Sequence, residues 1–152
     1  MAKRFSFRLA PLLKLREARK KDAQRVLGRL MGELQSLQGQ LTTLEGYRRD
    51  AFSQRSVERG MTVNLELWRS IERFLVSLER RMEETKAEIA RVQALVDEAR
   101  KVLTKANREH LTLQRLKERR QEQYEFEVSK EEQNRADELA VMRHRYRATR
   151  AS

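Results

Sequence analysis

Apolar residues recur along the first third of this chain at alternating steps of four and three: Ala23, Leu27, Leu30, Leu34, Leu37, Leu41 and Leu44, without a miss. That spacing brings every one of them onto a single stripe of an α-helix, and the stripe is only wide enough to bury against another helix. The register continues more weakly to Leu9, Leu13, Arg16 and Lys20 on one side and to Arg48 and Ala51 on the other, so a first helix is expected over about residues 9–53. A second series runs Trp68, Ile71, Leu75, Leu78, Met82, Thr85, Ile89, Val92, Val96, Ala99, Leu103, Ala106, His110 and Leu113, polar only at Thr85 and His110. It predicts a second helix over about residues 65–146.

Between the two series, Ser53 to Asn64 holds Ser56, Gly60 and Thr62 and breaks both registers, as a connection between helices does. The turn is expected at about 54–64, with Asn64 as the cap of the second helix and Glu66 in its first turn. Two seams of nearly equal length on either side of a turn near Gly60 specify an antiparallel hairpin, in which each seam finds its partner within the chain. The expected fold is all-α: one coiled-coil domain, residues 1–152, an antiparallel two-helix hairpin whose second helix overhangs at the C-terminal end. At 1.5 Å per residue the overhang past Leu113 reaches roughly 50 Å. It keeps only a thin stripe of Leu116, Tyr124, Val128, Leu139, Met142 and Tyr146. Composition agrees, because 39% hydrophobic and 6% aromatic residues cannot build a thick core, and 38% charged residues suit a rod solvated on all sides.

The formal net charge is +11. The charge is concentrated: residues 1–21 carry eight basic side chains against Glu17, and residues 100–120 carry eight against Glu109 and Glu118. Folding the hairpin sets these stretches side by side, so Arg8, Lys14, Arg16, Lys20, Arg108, Arg115, Lys117, Arg119 and Arg120 form a basic end far from the turn. Like charges gathered in this way repel, and an acidic partner or socket is expected there. Residues 121–138 reverse the balance, with seven acidic and two basic side chains, before Arg143, Arg145, Arg147 and Arg150 close the chain. There is no cysteine, and no run of about 18 uncharged apolar residues, so a soluble cytoplasmic protein is the expectation.

No pattern here calls for catalysis. Carboxylates such as Glu83, Glu84, Glu88, Asp97 and Glu98 fall on a solvated rod rather than in a concave site. His110 occupies a seam position and reads as a polar heptad residue, while His144 lacks a second ligand at helical spacing, so no metal is assigned. Gly28, Gly32, Gly39 and Gly46 are isolated within a helical pattern and make no phosphate loop. Each costs the helix about 1 kcal/mol relative to alanine, which makes helix one locally soft. They are either tolerated small residues or places where a partner helix comes close. No catalytic, cofactor or small-molecule site is expected, and the chain is not expected to be an enzyme. The aromatic residues Tyr47, Phe52, Trp68 and Phe74 gather near the turn. Trp68 belongs to the seam, whereas Tyr47 and Phe74 lie off it and are candidate binding anchors.

The opening FSFRLAPLLKLRE, the glycine-containing turn followed by tryptophan, and the late stretch LKERRQEQYEFEVSKEEQNRADELAVMR together resemble the FliJ family of flagellar export proteins. The likeness covers essentially the whole chain. It implies a subunit of the flagellar type III export apparatus, similar to the stalk of rotary ATPases. Such a subunit inserts the end carrying both termini into the hexameric export ATPase, promotes its assembly and activity, links it to the export-gate membrane protein and binds export chaperones. The basic end would then face the ATPase, and the protein would sit at the cytoplasmic face of the inner membrane, held there through its partners. The resemblance also carries over an export-gate patch at Gln40, Leu44, Tyr47, Phe74 and Leu78. Three further positions depart from the family pattern: Ala51 replaces an aromatic, with Phe52 adjacent, and Arg81 and Thr85 replace a small residue and a histidine.

Two other readings compete. The stalk of a virulence-type secretion injectisome would share the architecture and the chemistry. A basic coiled-coil factor bound to nucleic acid or ribosomes would explain the charge and the tail MRHRYRATR, but the chain lacks the RNA-binding signatures that would make nucleic acid the expected partner.

Overall fold

The computed structural model describes residues 4–59 and 64–151. They form two α-helices, α1 (Ala10–Arg59) and α2 (Leu65–Ala151), and no strand among the described residues. The helices pair as an antiparallel coiled-coil hairpin, with α2 running on beyond the start of α1. Along both expected heptad series no position is exposed. Helix one starts where the backbone N–H of Ala10 reaches the Phe7 carbonyl at 3.1 Å, one residue before Pro11. Proline fits there because the N–H it lacks lies in the first turn, where it would have no helical acceptor. Asn64 caps α2 as expected: its Oδ1 accepts from the N–H groups of Glu66 at 3.2 Å and Leu67 at 3.4 Å.

The end of helix one differs from the expectation. It continues past 53 to Arg59, so residues 54–59, expected in the turn, are helical. The Ser56 hydroxyl bonds back to the Phe52 carbonyl at 3.0 Å and so satisfies itself within the helix. Arg55 falls on the next step of the seam after Ala51 and bonds Glu72 on α2 at 2.7 Å. Its guanidinium also lies over the rings of Phe52 and Trp68, at 5.4 and 5.2 Å from their centroids. An arginine with a carboxylate and two aromatic faces extends the pairing where the apolar seam has ended. Helix two likewise runs beyond 146 to Ala151. Gly60 and Thr62, on which the turn was placed, lie outside the described residues.

The chain divides into two compact units, Lys20–Lys105 and a second that joins Met1–Arg19 to Ala106–Ser152. Within the first, Ala51 packs with Ile71 and Leu75, while Leu30 packs with Val92, Val96 and Ala99. Numbers that fall on α2 as they rise on α1 are the mark of antiparallel pairing. Leu78, Val92 and Val96 are the most completely buried side chains, and the small residues Ala23, Ala51 and Ala99 are buried in the same seam. Each large apolar side chain taken out of water here contributes about 1.5–3 kcal/mol. The core is therefore one line of knobs, without a second layer.

Within the other unit, Phe7 and Leu113 are buried. The ring of Phe5 meets that of Tyr124 with centroids 5.7 Å apart. The stripe after Leu113, expected to be thin, is half-buried in its first half, at Leu116, Tyr124 and Val128. From Ser129 to Ala151 every residue is exposed, Leu139, Met142 and Tyr146 included.

Candidate functional site

The basic end is held by one long-range hydrogen bond. Arg16, on the seam, donates from Nη1 to the carbonyl oxygen of Glu109, 3.1 Å away on α2. Its charge is positioned by a backbone dipole, and no carboxylate among the described residues neutralises it. Arg8, Lys14, Arg108, Arg115, Arg119 and Arg120 are exposed in the same unit, and Lys117 is half-buried. None of these has a carboxylate within ion-pair distance among the described residues. Pairs such as Arg80–Glu84, Lys86–Glu83 and Lys101–Glu98 join residues three or four apart along α2 in the other unit, where each is worth only a few tenths of a kcal/mol. Lys20, expected with this group, falls in the other unit. His110 is half-buried beside Glu109, and its Nδ1 has no hydrogen-bond partner among the described residues.

Phe5 and Phe7 were absent from the candidate residues read from the sequence. The signal was present in two aromatic rings spaced by Ser6 ahead of Pro11, a pattern for an extended segment with one side turned inward. The Phe5 ring ties the N-terminal segment to α2 at Tyr124, and Phe7 is buried behind it in the chain.

The second group of candidates lies in Lys20–Lys105. Gln40 and Leu44 line a shallow groove together with Gly39, Thr43, Arg81, Glu84 and Thr85. Tyr47 and Phe74 stand about half exposed. Both occupy the heptad position just before a seam residue, which turns the ring sideways along the rod. Leu78 is different: at 1% exposure it is a core residue and presents no surface. The aromatics near the turn therefore separate into two kinds. Phe52 and the half-buried Trp68 are drawn against Arg48 and Arg55, while Tyr47 and Phe74 remain open. Arg81 and Thr85, where the chain departs from the family pattern, are in the groove itself.

Farther along the same face, Arg91 hydrogen-bonds Glu88. That bond holds the Glu88 carboxyl below the usual range and raises the arginine, with Glu33 on α1 adding a smaller electrostatic pull. No group of three or more metal-ligating side chains occurs among the described residues. No helix among them is long and apolar enough to cross a membrane.

Comparison with known families matches residues 5–149 to the flagellar FliJ protein. No curated protein and no solved structure matches the chain. The match takes in the N-terminal aromatic segment, all of α1 and nearly all of α2, including most of the exposed tail: the chain belongs to the FliJ family of flagellar export proteins.

Proposed function

We propose that this chain is the central-stalk-like subunit of the flagellar type III export machinery, with its cationic end directed into the hexameric export ATPase. The observation that carries the reading is the group Arg8, Lys14, Arg108, Arg115, Arg119 and Arg120 around Arg16 and Glu109, all exposed and with no carboxylate within ion-pair distance among the described residues. A surface of one sign gathered on a thin helical pair favours an acidic receptor and speeds encounter with it. The exposed tail from Ser129 to Ala151 adds exposed apolar side chains, Leu139, Met142 and Tyr146, to the same unit. On this reading the chain promotes assembly and activity of the ATPase ring, binds export chaperones and sits peripherally at the cytoplasmic face of the inner membrane.

Titrating the chain into the purified export ATPase is expected to raise ATP hydrolysis and hexamer formation together at moderate salt. Charge reversal at Arg8, Lys14, Arg108 and Arg115 should remove that stimulation while the helical circular-dichroism signal stays. Stimulation that survives the reversal would count against the cationic end as the ATPase-facing surface. Binding to RNA or DNA with a steep salt dependence, and no effect on the ATPase, would favour the nucleic-acid reading.

The link to the export gate is placed on Gln40, Leu44, Tyr47 and Phe74, with Leu78 buried in the seam. Exposed rings flanking a groove supply anchors that another protein can desolvate. Tyr47→Ala with Phe74→Ala is expected to weaken binding to the export-gate protein at least tenfold, since each ring lost from an anchor position costs about 1–2 kcal/mol. Thermal unfolding should barely move, because neither ring is in the core. Unchanged affinity in an isothermal titration would remove the gate contact from this face.

A further inference from the structure

One column of α2 carries a pattern that the hairpin does not use. Over residues 67–102, the heptad position preceding the first seam residue of each pair reads Leu67, Phe74, Arg81, Glu88, Leu95 and Val102, with Glu109 next. The four apolar members are between 42% and 58% exposed. Over the same stretch the column on the opposite side of the helix reads Glu72, Glu79, Lys86, Gln93 and Arg100. Val76, on the outer face, is the other exposed large apolar residue of that stretch. The matching column of α1 lies on the same side, as the groove shared by Gln40 and Arg81 shows, and it reads Val26, Glu33, Gln40 and Tyr47, with Val26 and Tyr47 exposed.

The α2 column is self-complementary when reversed. Turned end for end against a copy of itself, Arg81 meets Glu88, Phe74 meets Leu95 and Leu67 meets Val102. The midpoint of the α2 column, near residues 84–85, lies at the groove lined by Gln40, Thr43, Arg81, Glu84 and Thr85. A two-fold axis across that groove satisfies the α2 column. Glu84 lies near the axis, where its counterpart approaches, and it is already engaged by Arg80 at 3.4 Å on its own helix.

We propose that the chain pairs with a second copy of itself through this face, antiparallel about a two-fold axis near residue 84, in a four-helix arrangement. The face then contributes two apolar clusters per copy, each closed by the opposite cluster of the other, with the Arg81–Glu88 pair setting the register between them. Orientation follows from charge: parallel packing would lay Arg81 on Arg81 and Glu88 on Glu88. Tyr47 and Phe74 are covered in the dimer, so self-pairing and a gate contact on the same rings exclude each other. The inference itself does not depend on the gate reading.

Sedimentation equilibrium of the full chain tests it, at concentrations up to about 0.1 mM, where weak specific complexes are populated. A reversible dimer is expected. Arg81→Glu and Glu88→Arg should each weaken it about tenfold or more, because like charges then oppose at two symmetric places, and the double exchange should restore it. Both positions lie outside the buried seam, so circular dichroism should be unchanged for all three variants. The chain has no cysteine, so single spin labels can be placed freely. A label at Glu84→Cys should show a short distance between copies, about 20 Å, whereas labels at Ser70→Cys and Glu98→Cys should each show about 45 Å, since moving along the helix separates symmetric labels by twice the rise per residue. A chain that stays monomeric over the whole range overturns the proposal. So does a double exchange that fails to recover association, or a short distance for labels in the tail with none at 84.

Discussion

Val96→Asp is expected to lower the midpoint of thermal unfolding by more than about 10 °C, a loss of roughly 4 kcal/mol or more. Val96 has no exposed surface and packs with Leu30, Val92 and Ala99, with Leu27, Leu34 and Leu37 around them. A carboxylate at this place has no donor and no route to water, and the methyl groups that filled the space are gone. In a globular core other layers absorb part of such a defect. Here the seam is one residue deep, so the loss is not shared. Val76→Asp is the control, because Val76 is 66% exposed and the same change there should cost less than about 1 kcal/mol. Equal effects in a circular-dichroism melt would mean that the helices are not paired through this seam.

Ending the chain after Val128 should have the opposite profile: little change in stability and loss of ATPase stimulation to the basal rate. Val128 is the last half-buried residue, and nothing from Ser129 to Ala151 is shielded. Removing that segment takes away no packed side chain, so the midpoint should stay within about 2 °C. Cutting earlier is a less clean experiment. A chain ending at Arg120 also loses Tyr124, against which Phe5 stacks, and a fall in activity would then mix loss of the tail with release of the N-terminal segment. If the chain ending at Val128 stimulates the ATPase as well as the full chain, the tail is not part of the working end and the stalk proposal must rest on the paired region alone.

The seams were legible because a step of three and four admits one geometry. Every position from Leu9 to Ala51 and from Trp68 to Leu113 that the spacing placed inside is shielded. The Asn64 cap was legible for a similar reason, since an amide side chain directly before an apolar period has an orphan N–H to accept from. The end of α1 was not. Serine and arginine after Ala51 read as a loss of register, and only the chance of Arg55 to reach Glu72, Phe52 and Trp68 together keeps the helix going. Such a contact depends on the partner helix, which the local sequence does not display. The N-terminal segment was hidden by the same logic: Phe5 and Phe7 belong to no heptad, and their value arises from Tyr124, more than a hundred residues away. Among the candidate site residues, the sequence placed Tyr47 and Phe74 outward and left Leu78 ambiguous, and its burial settles it as a seam residue. The self-complementary column of α2 was written in the sequence throughout, but it acquires meaning only when the facing column of α1 is known to lie on the same side.

The bare stretch from Ser129 to Ala151 has a consequence for how complexes of this protein can be watched. A helix without tertiary cover opens and closes cheaply, so its amide protons should exchange with solvent far sooner than those around Val92 and Val96. It also carries Arg135, Arg143, Arg145 and Arg147 as accessible tryptic sites. Brief protease treatment should trim the molecule from this end first, and slowing of that trimming, or of deuterium uptake there, would report directly on the moment a receptor takes hold.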